Sequence, residues 1–112
     1  MRLKWFVMPL ASCIFVSLLS AQAGQPKQTG DVAKGKTLFA QCEACHDPAS
    51  AARKVGPGLK GMFKRAKMLN GKPMNEPNVR AVVESGGNGM PPYKQMLTPA
   101  EKDAVIAYLK TL

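Results

Sequence analysis

Two cysteines and a histidine stand together in Gln41-Cys42-Glu43-Ala44-Cys45-His46. On a helical turn, thiols three residues apart point to the same side. So placed, they can add to two vinyl groups along one edge of a porphyrin, and the next residue, His46, then lies under the ring with Nε2 directed at its iron. Cys-x-x-Cys-His is the attachment pattern of c-type haem. His46 is the sole histidine of the chain, so no second imidazole competes for the metal.

Three plainer uses of these residues compete with that reading. A thioredoxin-like Cys-x-x-Cys follows a β-strand in an α/β domain, whereas a helical pattern precedes this one. A structural zinc site needs four ligands, and the segment after residue 23 holds two cysteines and one histidine. A stabilising disulfide between Cys42 and Cys45 gives no reason for the adjacent imidazole. Covalent attachment of one haem c accounts for all three residues.

The elements that must position them are helical. A helix is expected over about Asp31 to Ala44, with Val32, Leu38 and Phe39 apolar and an acidic residue at its start. Gly35 costs about 1 kcal/mol in a helix interior, which points to close approach by another element. Asp47 to Pro57 reads as a loop, Leu59 to Met68 as a short basic helix with Met62 and Phe63 on its apolar side, and Asn70-Gly71 as a tight turn. Pro77 to Ser85 is expected to be a helix ended by Gly86. Gly86 to Pro92 is a glycine- and proline-rich loop. Thr98-Pro99-Ala100-Glu101 is a capping box, after which Val105, Tyr108, Leu109 and Leu112 form one apolar stripe. No persuasive strand pair is present, and the fold class is all-α.

The chain is 112 residues long, a single domain at most. Arg2 and Lys4, the apolar run Trp5 to Leu19, and Ala21-Gln22-Ala23 have the layout of a secretory signal peptide. A transmembrane anchor needs ~20 apolar residues, and this run is shorter and interrupted by Pro9. The expected organisation is a cleaved leader at 1–23, a flexible lead-in at 24–30 and one domain at 31–112. Leu10-Ala11-Ser12-Cys13 resembles a lipobox, so lipid anchoring at Cys13 is a minority alternative to free release into the periplasm. Beyond the leader, 14 of the 16 basic residues face all 7 acidic ones, a balance of +7. Scattered positive charge suits transient docking on acidic partners, or plain solubility. No base-reading motif supports nucleic-acid binding. Four aromatics remain in that segment, Phe39, Phe63, Tyr93 and Tyr108, beside ten glycines and eight prolines. So thin a core calls for a staple. A buried haem supplies both bulk and cross-links.

Over most of Asp31 to Leu112 the chain resembles a bacterial class I cytochrome c. The resemblance implies three to four short helices and loops wrapped around one haem. Val55-Gly56-Pro57-Gly58-Leu59 matches that family's Gly-Pro-x-Leu segment, in which the carbonyl at the position of Pro57 accepts the Nδ1 hydrogen of the ligand histidine. Leu59 would press on the haem. Gly35, Phe39 and Tyr108 match the family's contact between first and last helices. Gly89-Met90-Pro91-Pro92-Tyr93 resembles the loop bearing the second axial ligand, Met90. The segment between Leu59 and Gly86 is the one that differs most between members of that family, and nothing is carried over there.

Local context also selects Met90. Met62 and Met68 fall in the expected basic helix, Met74 follows a turn, and Met96 adjoins the last helix, where it is better placed to pack. Met90 sits in a proline-stiffened loop able to cross a haem face. The expected function is one-electron transfer in the periplasm by a non-enzymatic carrier with His46 and Met90 as axial ligands. The alternative is a permanent electron-accepting subunit of a larger dehydrogenase or sulfur-oxidising enzyme. Without Met90 on the iron, an enzyme or gas sensor becomes the reading, and without haem a disulfide oxidoreductase.

Overall fold

The computed structural model describes residues 29–112, so the expected leader, Cys13 and the lead-in up to residue 28 lie outside it. Three helices carry the fold: α1 over Thr29–Phe39, α2 over Glu76–Ser85 and α3 over Pro99–Leu109. Among the described residues there are no strands, only the isolated bridges Lys67–Pro73 and Gly87–Met90. The all-α expectation holds.

α1 starts two residues before Asp31 and stops at Phe39, well short of Ala44. Past Phe39 the backbone tightens. Ala40 N donates to Thr37 O at 3.3 Å and Cys42 N to Phe39 O at 2.7 Å, three residues back instead of four. The cysteine motif therefore rides on turns that extend α1, not within it.

α1 and α3 form the principal helix pair. A Cβ on Gly35 would run into the carbonyl of Ala104 and come within 2.9 Å of Tyr108 Cβ. The unfavourable glycine is thus the condition for close approach. One turn later, the rings of Phe39 and Tyr108 meet with centroids 5.3 Å apart at 57°, a tilted contact favoured by their quadrupoles.

α3 opens with the expected capping box, Thr98 and Glu101 exchanging bonds at 3.2 and 2.9 Å. Its burial is wider than a single stripe. Every residue from Ala104 to Leu109 is buried, and Ile106 is wholly inaccessible. A helix apolar on all sides has partners on all sides: α1 covers one flank, and Val105 and Leu109 line a cavity on the other.

α2 begins at Glu76, one residue before Pro77, because Asn75 caps it by accepting from Asn78 N at 2.9 Å. Gly86 ends it at φ 62°.

The expected helix over Leu59 to Met68 does not form. Only Met62–Lys64 makes a 3-10 turn, entered through Gly61 at φ 64° and left through an extended Arg65. A full helix would stack Lys60 on Lys64 at four residues' spacing, a repulsive pair. The chain instead folds back, with Met68 N on Lys72 O at 2.9 Å and Met74 N on Ala66 O at 3.1 Å, turning at Asn70-Gly71 as expected.

Candidate cofactor site

Cys45 N and His46 N both donate to Cys42 O, at 3.1 and 2.9 Å. This single turn puts both thiols and the imidazole on the wall of one cavity. Both cysteines are free thiols in this structure. Burial pushes the Cys42 thiol up, and the proximity of Cys45 and then Glu43 adds to the effect.

Against this turn runs the segment Lys54 to Leu59. Pro57 O accepts the Nδ1 hydrogen of His46 at 2.9 Å. That bond fixes the tautomer, leaving Nε2 with its lone pair available to a metal. Gly56 lies flat under the ring: a Cβ there would sit 2.8 Å from His46 Nδ1. Gly56 N donates to Cys45 O at 2.7 Å and Leu59 N to Asp47 O at 2.8 Å, which ties the segment to the motif on either side of the histidine. Arg65 braces it from behind, its Nη2 donating to Gly58 O at 2.9 Å and Lys60 O at 3.0 Å. Lys54 Nζ reaches Glu43 O at 2.9 Å. Arg65 and Lys54 have a part in the site that the sequence reading did not assign, since only folding brings them to the motif.

Met90 is presented by a loop that closes on itself. Gly87 N donates to Met90 O at 2.9 Å and Met90 N to Gly87 O at 3.0 Å. Gly87, Asn88 and Gly89 all have positive φ, conformations that suit glycine and asparagine. The loop leaves the end of α2 and returns where Tyr93 N donates to Val83 O at 3.0 Å. Tyr93 is buried, and burial first, then the two nearby thiols, raises its phenol above the ordinary value.

The cavity measures about 630 Å³, within the range of small-molecule and cofactor sites. Cys42, Cys45, His46, Pro57, Leu59 and Met90 all line it. The structure brings every expected site residue to one place. It also brings three further methionines: Met62 and Met68, which the sequence reading assigned to core or surface, and Met74, which it kept as a weaker rival to Met90. Met96 corrects an expectation: it is 61% exposed and does not pack under α3.

The residues present fit a haem. Left empty, this open cavity would leave Leu59, Val79, Val105 and Leu109 to water. An apolar macrocycle covers them, and the polar donors on the walls are those that bond a porphyrin and its iron: two thiols, an imidazole and thioethers.

Comparison with known proteins agrees with this geometry. A family profile described as Cytochrome c matches residues 32–112. A cytochrome c2 of Afifella marina is 32% identical over 108 residues, covering 75% of this chain and 85% of that protein. A cytochrome c2 iso-2 of Magnetospirillum fulvum is 30% identical over 90 residues, 66% of this chain and 94% of that protein. A cytochrome c2 of Agrobacterium tumefaciens (strain II Chrys) is 43% identical over 63 residues, 54% of this chain and 53% of that protein, so the match spans about half its length.

Proposed function

The chain belongs to the cytochrome c family, and we propose that it is a periplasmic one-electron carrier with His46 and Met90 as the axial ligands of its haem. Family membership makes it an electron-transfer protein with one covalently bound haem c, not an enzyme. When bound, that haem supplies the Fe(III)/Fe(II) couple.

The protein's own groups do the remaining work. Cys42 and Cys45 would hold the porphyrin edge by thioether bonds, each thiol adding across one vinyl group. His46, held in place by Pro57 O, would donate through Nε2. Met90 would supply the second ligand, and a thioether there would favour the reduced metal and raise the potential. Leu59, Val79, Val105 and Leu109 would exclude water from the porphyrin.

Docking follows from the rim. Residues 48–75 contain seven lysines and arginines and no carboxylate. Within that stretch Val55 and Leu69 line the cavity yet are 68% and 74% exposed. An apolar lip among unopposed cations suits brief contact with an acidic redox partner, because charge speeds encounter while a small apolar patch permits release. Export to the periplasm is supported by the leader pattern at residues 1–23, and no helix among the described residues is long and apolar enough to cross a membrane.

The observation that carries this reading is the 2.9 Å bond from His46 to Pro57, made beside two free thiols on one cavity wall. Mass spectrometry of the exported protein tests it. One haem retained after denaturation is expected, lost with Cys42→Ala combined with Cys45→Ala. A mature chain without added porphyrin would overturn it.

A further inference from the structure

The two walls of the cavity are fastened by different physics. The His46 wall continues from α1, which is held to α3 by the Gly35 contact and the Phe39–Tyr108 rings. The Met90 wall continues from α2, in which only Val79 is buried. α2 meets α3 through three ion pairs: Glu76–Lys110, Arg80–Asp103 and Glu84–Lys102. Glu76, Arg80 and Glu84 recur every four residues along one face of α2.

One pair differs from the others. The Lys102 side chain is 6% exposed with its Nζ 3.0 Å from Glu84 Oε1, and Lys102 is the one buried charged residue among those described. Glu84 also sits where the Met90 loop leaves and rejoins the fold. Gly86 N donates to Val82 O at 2.8 Å, Tyr93 N to Val83 O at 3.0 Å and Lys94 N to Glu84 O at 3.2 Å.

We propose that Glu84 and Lys102 are positioning residues for the sixth ligand: their ion pair pins the base of the Met90 loop and sets how firmly Met90 stays on the metal. The proposal rests on Met90 being that ligand. Neutralising Glu84 strands a buried ammonium, which is far more costly than losing an exposed pair. Lys102 reaches water only if the end of α2 moves off α3, and the loop moves with it.

Glu84 is faced by Arg80 on its own helix, by Lys94 where the loop returns, and by Lys102 on α3, whose neighbour Asp103 is taken by Arg80. The hydrogen bond from Lys102, and then these charges, hold the carboxyl below its ordinary range. A carboxylate so lowered fastens the loop at neutral pH and loosens it as pH falls through its folded value.

The test is displacement of Met90 by added imidazole in the ferric holoprotein, followed by loss of the long-wavelength sulfur-to-iron absorption band. Glu84→Gln is expected to speed displacement about tenfold at neutral pH. With rates referred to the concentration of neutral imidazole, which itself protonates near neutrality, the parent should accelerate on acidification towards the variant, whose own rate stays level. Adding Lys102→Met to Glu84→Gln removes the stranded charge and should restore a rate near the parent's. Asp103→Asn, on the more exposed pair, should change little. Equal rates for parent and Glu84→Gln overturn the proposal, as does an equal effect of Asp103→Asn. If the parent itself lacks the sulfur band, the ligand assignment fails first and the proposal falls with it.

Discussion

The Nδ1 atom of His46 lies 2.9 Å from the carbonyl oxygen of Pro57, eleven residues further along the chain. A proline carbonyl is well suited to this, because the ring fixes φ and the residue has no N–H to satisfy. The bond converts a rotating imidazole into an oriented ligand.

Gly56 leaves room for that orientation. In Gly56→Ala the new methyl would lie 2.5 Å from His46 Cε1, so the ring or the Pro57 carbonyl must move. A loss of roughly 1–3 kcal/mol is expected for such overpacking. Urea unfolding of the holoprotein measures it, and a changed electron paramagnetic resonance spectrum of the ferric form reports the disturbed imidazole.

Gly35→Ala separates helix propensity from packing. Propensity alone makes the change stabilising by about 1 kcal/mol. The structure reverses the sign, since the methyl collides with the Ala104 carbonyl and crowds Tyr108. A net loss of roughly 1–3 kcal/mol should lower the melting temperature by several degrees, and a rise would contradict the α1–α3 contact.

Four methionines line the cavity, and one is expected to bind the metal. Met90→Ala should keep the covalent haem, lose the sulfur-to-iron band and bind carbon monoxide rapidly. Met68→Leu and Met74→Leu should keep the band. Met62→Ala should keep it too, while costing roughly 2–5 kcal/mol as a buried large-to-small change.

The cap of α3 gives a pH-dependent term. The backbone N–H of Thr98, and then its hydroxyl interaction, hold the Glu101 carboxyl below its ordinary value. Its contribution is therefore present above the unfolded carboxylate value and lost as pH falls through the folded one. Denaturation midpoints of parent and Glu101→Gln should differ at neutral pH and converge in acid. Thr98→Ala, which removes the acceptor for Glu101 N, should cost about 0.5–2 kcal/mol.

Sequence alone determined what rests on neighbours in the chain. The Cys42–His46 spacing, the capping box at Thr98, the turn at Asn70-Gly71 and the stop at Gly86 are set by one residue's chemistry acting within a few positions. Each stands in the structure where it was expected. The resemblance at Gly56 to Leu59 further anticipated the partner of His46.

Tertiary structure decided what depends on distant surfaces and on summed charge. The basic stretch from Leu59 to Met68 has the composition of a helix but yields only one 3-10 turn, because neither its like charges nor a packed face sustains more. Met96 points outward and four other methionines point inward, a sorting that no methionine's own neighbours encode. Lys102 belongs to a capped helix, and the approach of α2 buries it against Glu84. Local rules act through torsions and short hydrogen bonds, while burial is fixed only when helices far apart in sequence close on one another.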